Sequence, residues 1–489
     1  MLYNSNELEI MHEVSEINNV AIRFGVIGAG QKGNKVADIF AGYTFSDGTP
    51  CYPTLALNLS HTDMIHLKNI DKQDRIHFDG LQGAARTPSV VIDTFDPERN
   101  PNAHDQLAKL YGAIERKFTD SEGELIIDHI LLDIGAGGGV GTGFGSLFLK
   151  IISEGNFPVP VTMMISLPHD NPEELENALV LINEINEFFK QQNAYNMFEA
   201  KPLANVILNY NPQMEKIVKS QKGTKDLKNQ HMIWQNVAND YVASTIHEIN
   251  IIPGNFGSDQ VTYDPSDLQK LFSISGKFLT IGKARIKKQD LHSLESSIQK
   301  SLNDNYFTCG HKFETAKTFA NILLRPTNAG FFQDIETESK INKVLNEYTD
   351  IKRLSGKMAN PMWDSEHAVN YAIFGGMNLP EIIGQLSEQA KRLNEQMEQQ
   401  EEEDSIDISF LKNDKTSVGG FNPLSQGIQN KFGGSHTSAF ARKQPVQEVQ
   451  EAQKPKKGFG FSNKTNSLAG KKITPQTPKF GGNKGFGNK

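Results

Sequence analysis

Three glycine-bearing loops carry the groups in this sequence best suited to chemistry, and the chemistry they suit is phosphate binding. The densest runs Gly135-Ala136-Gly137-Gly138-Gly139-Val140-Gly141-Thr142-Gly143-Phe144-Gly145, after an apolar stretch that reads as a buried strand. Glycine at that density lets backbone N–H groups close on an anion with no Cβ in the way. The N-terminus of the helix expected to follow adds its partial positive charge. An earlier loop, Gly28-Ala29-Gly30-Gln31-Lys32-Gly33-Asn34, has the G-x-G-x-x-G spacing directly after a strand pattern. Between them, Gly83-Ala84-Ala85-Arg86-Thr87-Pro88 forms a small-residue turn where backbone can approach a terminal phosphate.

A lone G-x-G-x-x-G would suggest a dinucleotide fold, with an acidic residue about 20 positions on to hold the ribose. Here the second strand candidate, Leu55-Ala56-Leu57, ends in Asn58, and a dinucleotide has no use for the second cradle at Gly137–Gly143. A nucleoside triphosphate held across several strand ends does. No G-x-x-x-x-G-K-[ST] occurs, so the loops are not a Walker P-loop. No His/Cys spacing suggests a metal cluster, so a metal is expected only as Mg²⁺ on phosphate oxygens and water.

The elements that must position these loops read as α/β. Leu8, Met11, Val14 and Ile17 are at helical spacing, so a helix is expected over 1–20. Strands are predicted at Ala21–Ile27, Thr54–Asn58, Ile126–Ile134, Pro160–Leu167 and Ala204–Asn209. Several are continuous apolar runs separated by helical stretches, the pattern of a parallel sheet covered on both faces. A long helix is expected over Met232–Asn250, a smaller α/β region over 269–378, and a further helix over 379–404 that ends in Glu401-Glu402-Glu403-Asp404.

The net charge of −8 divides unevenly. From Ser405 onward, fourteen Lys and Arg against four Asp and Glu give +10, which leaves 36 against 54, or −18, on the rest. An acidic body with a basic tail directs the tail toward an anionic partner. Residues 405–489 are rich in Gly, Lys, Asn, Gln and Pro, and disorder is expected there. Lys431-Phe432-Gly433-Gly434, Lys457-Gly458-Phe459-Gly460, Lys479-Phe480-Gly481-Gly482 and Lys484-Gly485-Phe486-Gly487 repeat one theme, readable as a solubilising tail or as a multivalent ligand. No apolar run approaches the roughly 20 residues of a membrane span. Met1–Glu7 lack the features of a secretory signal, and Cys51 and Cys309 are too few for a disulfide framework. A cytoplasmic protein with no membrane partner is expected.

With these loops in view, the chain resembles the tubulin/FtsZ superfamily, and within it the TubZ proteins. The likeness rests on the glycine-bearing first loop, Gln82-Gly83-Ala84-Ala85-Arg86, the G-G-G-x-G-T-G loop at Gly137–Gly143, His247-Glu248-Ile249-Asn250 and the style of the tail. It implies a Rossmann-like GTP-binding domain over 21–231, a central helix and catalytic loop over 232–268, then the smaller domain, the C-terminal helix and the tail. It implies nucleotide contacts from Gly28, Ala29, Gly30, Gln31, Lys32, Gly33, Asn34, Asn58, Gly83, Ala84, Ala85, Arg86, Gly137, Gly138, Gly139, Val140, Gly141, Thr142, Gly143 and Asn211. Asn239 would recognise guanine, since its amide offers both a donor and an acceptor. It places catalysis on Asp264 and Asp267 in Thr262-Tyr263-Asp264-Pro265-Ser266-Asp267-Leu268. In the family these carboxylates enter the neighbouring subunit's nucleotide pocket and polarise water. Read without the family, the same D-x-x-D fits an exposed turn or helix cap.

The resemblance further implies GTP and GDP as ligands, Mg²⁺, head-to-tail filaments, and plasmid or phage DNA segregation. The tail would grip a small DNA-binding adaptor of the TubR type on centromeric DNA, with possible direct DNA contact. Alternatives are a filament for phage positioning or cell division, and a nucleotide-binding scaffold without hydrolysis. Val140 stands where the family usually has Thr, which removes one hydroxyl and predicts altered affinity or rate. Lys32 would either add charge at the phosphates or point to solvent.

Overall fold

In a computed structural model the described residues are 17–78, 83–192, 199–222, 233–257, 263–287, 293–326, 335–350, 354–360 and 367–404. The chain divides into two compact units, Met1–Ser405 and Ile406–Lys489, and every described residue lies in the first. The expected N-terminal helix falls outside the described residues except for 17–20, which are not helical, and the Lys/Phe/Gly tail falls outside them entirely.

The first half alternates strand and helix. β1 (Phe24–Ala29) leads into α1 (Gly30–Ala41), then come β2 (Thr54–Asn58), β3 (Arg75–His77), α2 (Ser89–Thr94) and α3 (Ala103–Phe118). β4 (His129–Gly135) runs into α4 (Gly139–Ser153), followed by β5 (Val161–Leu167), α5 (Pro172–Gln192), β6 (Leu203–Tyr210) and α6 (Asn211–Lys222). α7 (Trp234–Asn255) and α8 (Pro265–Ile274) precede β7 (Lys277–Lys287), α9 (Leu294–Asn303), β8 (Thr318–Pro326), α10 (Ile335–Asn346), β9 (Leu354–Asn360), β10 (His367–Met377) and α11 (Glu381–Asp404).

These strands make one sheet in the order β3-β2-β1-β4-β5-β6-β7-β10-β8-β9. Every neighbouring pair from β3 to β7 is parallel. β10 is antiparallel to both β7 and β8, and β9 is parallel to β8. Because β7 pairs with β6 (Asn205 opposite Lys277), the sheet continues into the region 269–378 without a break. The parallel run places the C-terminal ends of β1, β2, β4, β5 and β6 along one edge, where α/β sheets bind ligands.

The strands are buried along nearly their whole length, which is why they are apolar without alternation. Successive residues still serve opposite faces. On β4, Ile130, Leu132 and Ile134 join a core with Phe144, Phe148, Leu181 and Ile185. Leu131 joins the other core, with Val36 and Phe40 of α1 and Ile246 and Ile249 of α7. The helix expected to end at Asn250 continues to Asn255 through Pro253. Pro253 cannot donate to the Ile249 carbonyl, and the helix ends two residues later, its buried length holding this last turn in place.

α7 crosses the molecule from edge to edge. At its start, Trp234 meets His169, just past β5, edge-on at 5.7 Å between ring centroids. Near its end, the Asn250 amide donates to the Ile22 carbonyl (2.9 Å) and accepts from the Ile22 N–H (2.8 Å), immediately before β1. Its 22 residues correspond to about 33 Å of helix.

Candidate functional site

Two sets of groups stand out, and they lie at opposite edges of the sheet. The first is built from backbone at the C-terminal edge. α1 starts at Gly30 with no side-chain cap and no acidic residue in its first turn. α4 starts at Gly139, capped only by the backbone of Gly138, again with no acidic residue in its first turn. Unsatisfied N–H groups and the helix dipole there suit an anion.

The glycines of this edge serve two different purposes. A Cβ on Gly33 would fall 2.0 Å from the Asp133 carbonyl oxygen, and one on Gly28 would fall 2.5 Å from the Gly33 carbonyl oxygen. A Cβ on Gly141 would fall 2.4 Å from the Gly135 carbonyl oxygen, and Gly139 and Gly143 would collide with Ala84 and Pro88. These glycines let helices press onto strands and onto the 83–88 turn. Gly138 and Gly83 differ, since a Cβ on either would meet nothing within 4 Å. Among the described glycines of these loops, these two face open space. Much of the glycine density that signalled a cradle is therefore close packing, which holds the first turn of α4 against the turn at 83–88.

That turn is strained. Ala85 (φ 41°) and Arg86 (φ 66°) both occupy the left-handed region, at a cost on the order of 1–3 kcal/mol each. Asn177 on α5 holds them, its Nδ2 donating to the Arg86 carbonyl (2.7 Å) and to the Gly137 carbonyl (2.9 Å). Arg86 Nε also pairs with Glu174 at 3.0 Å. One side chain thus ties the turn at 83–88 to the loop at Gly137. No sequence motif marks Asn177, because both its partners are backbone carbonyls 40 or more positions away.

Other predicted contacts take specific places. Thr142 Oγ1 accepts the Gly137 N–H at 2.8 Å, so it closes the loop on itself. Val140 is half-buried and packs on the apolar core, which accounts for an apolar residue there. Asn34 Nδ2 donates to the Leu57 carbonyl (3.2 Å), fastening α1 to β2. Asn58 is buried at the end of β2, where its Oδ1 accepts the Ser60 N–H (3.0 Å) and its Nδ2 reaches Asp63 (3.3 Å). Asn211 opens α6, directly after β6 at the same edge. Asn239 is buried in the first half of α7, and burial pushes the neighbouring Asp240 carboxyl up to about 6. Gln31 is exposed.

Lys32 neither points to solvent nor stands clear in the cradle. Its Nζ lies 2.6 Å from Oδ1 of Asp133, a fully buried carboxylate on β4. Burial pushes the Asp133 carboxyl up to about 6 even though Lys32 pulls it down.

The second set is at the N-terminal edge. Asp264 caps α8 in a reciprocal capping box with Asp267. The helix is anchored by Gln269 Nε2 donating to the Ala21 carbonyl (2.8 Å), just before β1. Asp264 is exposed and Asp267 half-exposed. The cap and the exposed carboxylate pair are compatible, because each carboxylate keeps acceptor capacity beyond its one backbone bond. With the length of α7 between them, these carboxylates cannot reach the glycine loops of the same chain.

His247, which neither spacing nor neighbours marks in sequence, is buried between Tyr43, stacked at 3.9 Å between centroids, and the Tyr52 hydroxyl, 2.7 Å from its Nδ1. Glu248 next to it is buried against Lys283 (2.7 Å) and Tyr371 (2.5 Å). Both residues fasten the central helix and lie away from the glycine loops. Among the described residues no group of three His, Cys, Asp or Glu is placed to hold a metal ion, and no helix is long and apolar enough to cross a membrane.

Comparison with known proteins agrees with this architecture. The family model for the C-terminal domain of TubZ-like tubulin/FtsZ-like proteins matches residues 248–387. The chain is 55% identical to the tubulin-like protein TubZ of Bacillus thuringiensis subsp. israelensis over 455 residues, covering 90% of this chain and 94% of the relative. It superposes on a GTPγS-form protofilament of TubZ from the same source with a TM-score of 0.76 and 56% identity, over 81% of this chain and 99% of that one. A structure described as type III plasmid segregation TubZ gives 0.75 and 56%, over 82% and 99%.

Proposed function

The chain belongs to the TubZ family of tubulin/FtsZ-like proteins, and from that premise we propose that it is a GTPase whose active site is completed between subunits stacked head to tail. One observation carries the reading: the backbone cradle and the Asp264/Asp267 pair sit at opposite edges of one sheet, between which the 22-residue helix α7 runs. Each edge holds what the other lacks. Repeating the contact joins the edges in a series that does not close, which is a filament. The relative's GTPγS-form protofilament supports both the nucleotide and the assembly.

In the shared site the first turns of α1 and α4 bind the phosphates through backbone donors, and the turn at 83–88 stands against Gly139. Asn239 and Asn211 hold the nucleoside. Asp264 and Asp267 of the adjoining subunit orient the attacking water by accepting its hydrogens. Mg²⁺, were it bound, would supply charge neutralisation at the phosphates; among the described residues no cluster of carboxylates or histidines is placed to hold it, so phosphate oxygens and water would. Hydrolysis weakens the contact the nucleotide had stabilised, so the filament can turn over and move cargo.

The cargo is plasmid or phage DNA, a reading supported by the plasmid-segregation relative. The tail, +10 from Ser405 onward, binds a small DNA-binding adaptor, with its lysines available to phosphates. Removing Gly433–Lys489 should leave polymerisation intact and abolish co-pelleting of adaptor and DNA; unchanged co-pelleting would refute the tail's role. The GTPase reading is tested by phosphate release against protein concentration. Release per subunit should stay near zero below a threshold and climb above it. A rate strictly proportional to concentration from the origin would mean that each chain hydrolyses alone.

A further inference from the structure

Asp133 is out of place in its strand. It sits among Leu132, Ile134 and the apolar neighbours of β1 and β5, with none of its side chain exposed. In register it lies opposite Gly28 on β1 and Met164 on β5, neither of which can compensate a charge. An isolated carboxylate in such a place is costly unless paired. Among the described residues Lys32 is the one charge that pulls on it, through a contact to Oδ1, while Oδ2 has no hydrogen-bond partner there.

The lysine is equally out of place. It lies in the first turn of α1, where a positive charge opposes the helix dipole, and a cation there would ordinarily turn toward an incoming phosphate. Instead its stem lies on Gly135, where a Cβ would come within 3.3 Å of the Lys32 Cβ. The absence of a side chain at Gly135 gives the stem its route down to the sheet. Lys32 is left 22% exposed.

We propose that Asp133 is a positioning residue for nucleotide exchange: by holding the Lys32 ammonium on the sheet, it keeps that charge out of the phosphate cradle. The cradle then binds through backbone donors, and the diphosphate product leaves without breaking a lysine–phosphate bond. The inference rests on the nucleotide reading above and refines it. Asp133 touches neither substrate nor water; it acts through Lys32.

The test is the affinity of the full chain for fluorescently labelled GDP at two salt concentrations, in wild type, Asp133→Asn, Lys32→Met and the double variant, with melting temperatures in parallel. Asp133→Asn releases Lys32 to the phosphates, so it should bind GDP roughly tenfold more tightly, the scale of one charge-assisted hydrogen bond, with a steeper salt dependence. Lys32→Met removes the cation that favours ionised Asp133, so the buried carboxyl takes up a proton and GDP affinity should stay near wild type. The double variant, with no charge at either position, should likewise keep about the wild-type affinity. Should Asp133→Asn fail to fold, Lys32→Met and the double variant still decide. Equal weakness in those two would mean that Lys32 contacts phosphate directly, which overturns the inference. So would an Asp133→Asn variant that binds GDP no more tightly than wild type. Failure of the wild type to bind GDP would instead count against the nucleotide reading itself.

Discussion

The two edges of the sheet solve opposite problems with opposite means. At the C-terminal edge the working groups are backbone N–H groups at helix starts with no side-chain cap and no acid. At the N-terminal edge the working groups are two carboxylates that cap a helix themselves. An edge that must hold an anion leaves its helix N-termini free, whereas an edge that only presents carboxylates can spend them on its own fold. In the function proposed above neither edge is a complete active site, because the long buried helix runs between the two.

The sharpest way to break this comparison is to remove one side of it. Asp267→Ala should lower phosphate release by roughly a hundredfold or more, the range of lost acid–base assistance, while GTP affinity and GTP-driven assembly persist in sedimentation. A parallel loss of nucleotide affinity would place Asp267 in the cradle's own fold instead. Asp264→Ala should also lose the helix cap, about 1 kcal/mol, visible as a lower melting temperature.

Next come the glycines. Gly33→Ala forces a Cβ toward the Asp133 carbonyl at 2.0 Å, so it should lower stability by about 1–3 kcal/mol and abolish binding of labelled GTP. Gly138→Ala meets open space, so it should melt like wild type and lose affinity only. If both variants lose stability equally, the division into packing and ligand-facing glycines is wrong.

Asn177→Ala is a subtler cut. It leaves two carbonyls without their shared donor, costing about 1–3 kcal/mol if they stay dry. The strained turn at Arg86 should relax, and labelled GTP should bind more weakly although Asn177 itself need not touch it. Unchanged affinity would show that the turn holds its shape without this tie.

The smallest effect lies in titration. Burial pushes His129, at the N-terminal end of β4, down to about 3. Its folded value lies below its unfolded one, so its contribution is present above about pH 6.5 and is lost as pH falls toward 3. Asp133, near the other end of the same strand, is pushed up to about 6. Stability it withholds at neutral pH returns as pH falls from about 6 toward 4. Melting curves of His129→Asn and Asp133→Asn against wild type should therefore diverge from it with opposite pH slopes, by a few degrees. Slopes of the same sign would contradict the burial of one of the two groups.

What the sequence revealed follows from how local each signal is. β2 falls at Thr54–Asn58 as read, because a short apolar run bounded by turns admits no other placement. β1, expected from Ala21, begins at Phe24, since Ala21 and Ile22 are spent on contacts to α7 and α8. The glycine loops were legible as loops, but not the division of labour among their glycines. That depends on which backbone lies 2–3 Å away in space. Asn177, the Lys32–Asp133 pair and the ring stack on His247 were invisible for the same reason: each joins groups far apart in sequence. The D-x-x-D pair could be read as cap or as catalyst; the structure shows the cap, and the exposed place of the pair at the far edge is what the proposed catalytic role draws on.

The central claim is that one subunit's carboxylates serve another's cradle. Mixing Asp267→Ala, which keeps its cradle, with Gly33→Ala, which keeps its aspartates, tests this most directly. Each variant alone should release almost no phosphate. The mixture should recover release that rises with total protein and peaks near equal proportions. A mixture as inactive as its two components, with co-assembly demonstrated by sedimentation, would contradict the shared site.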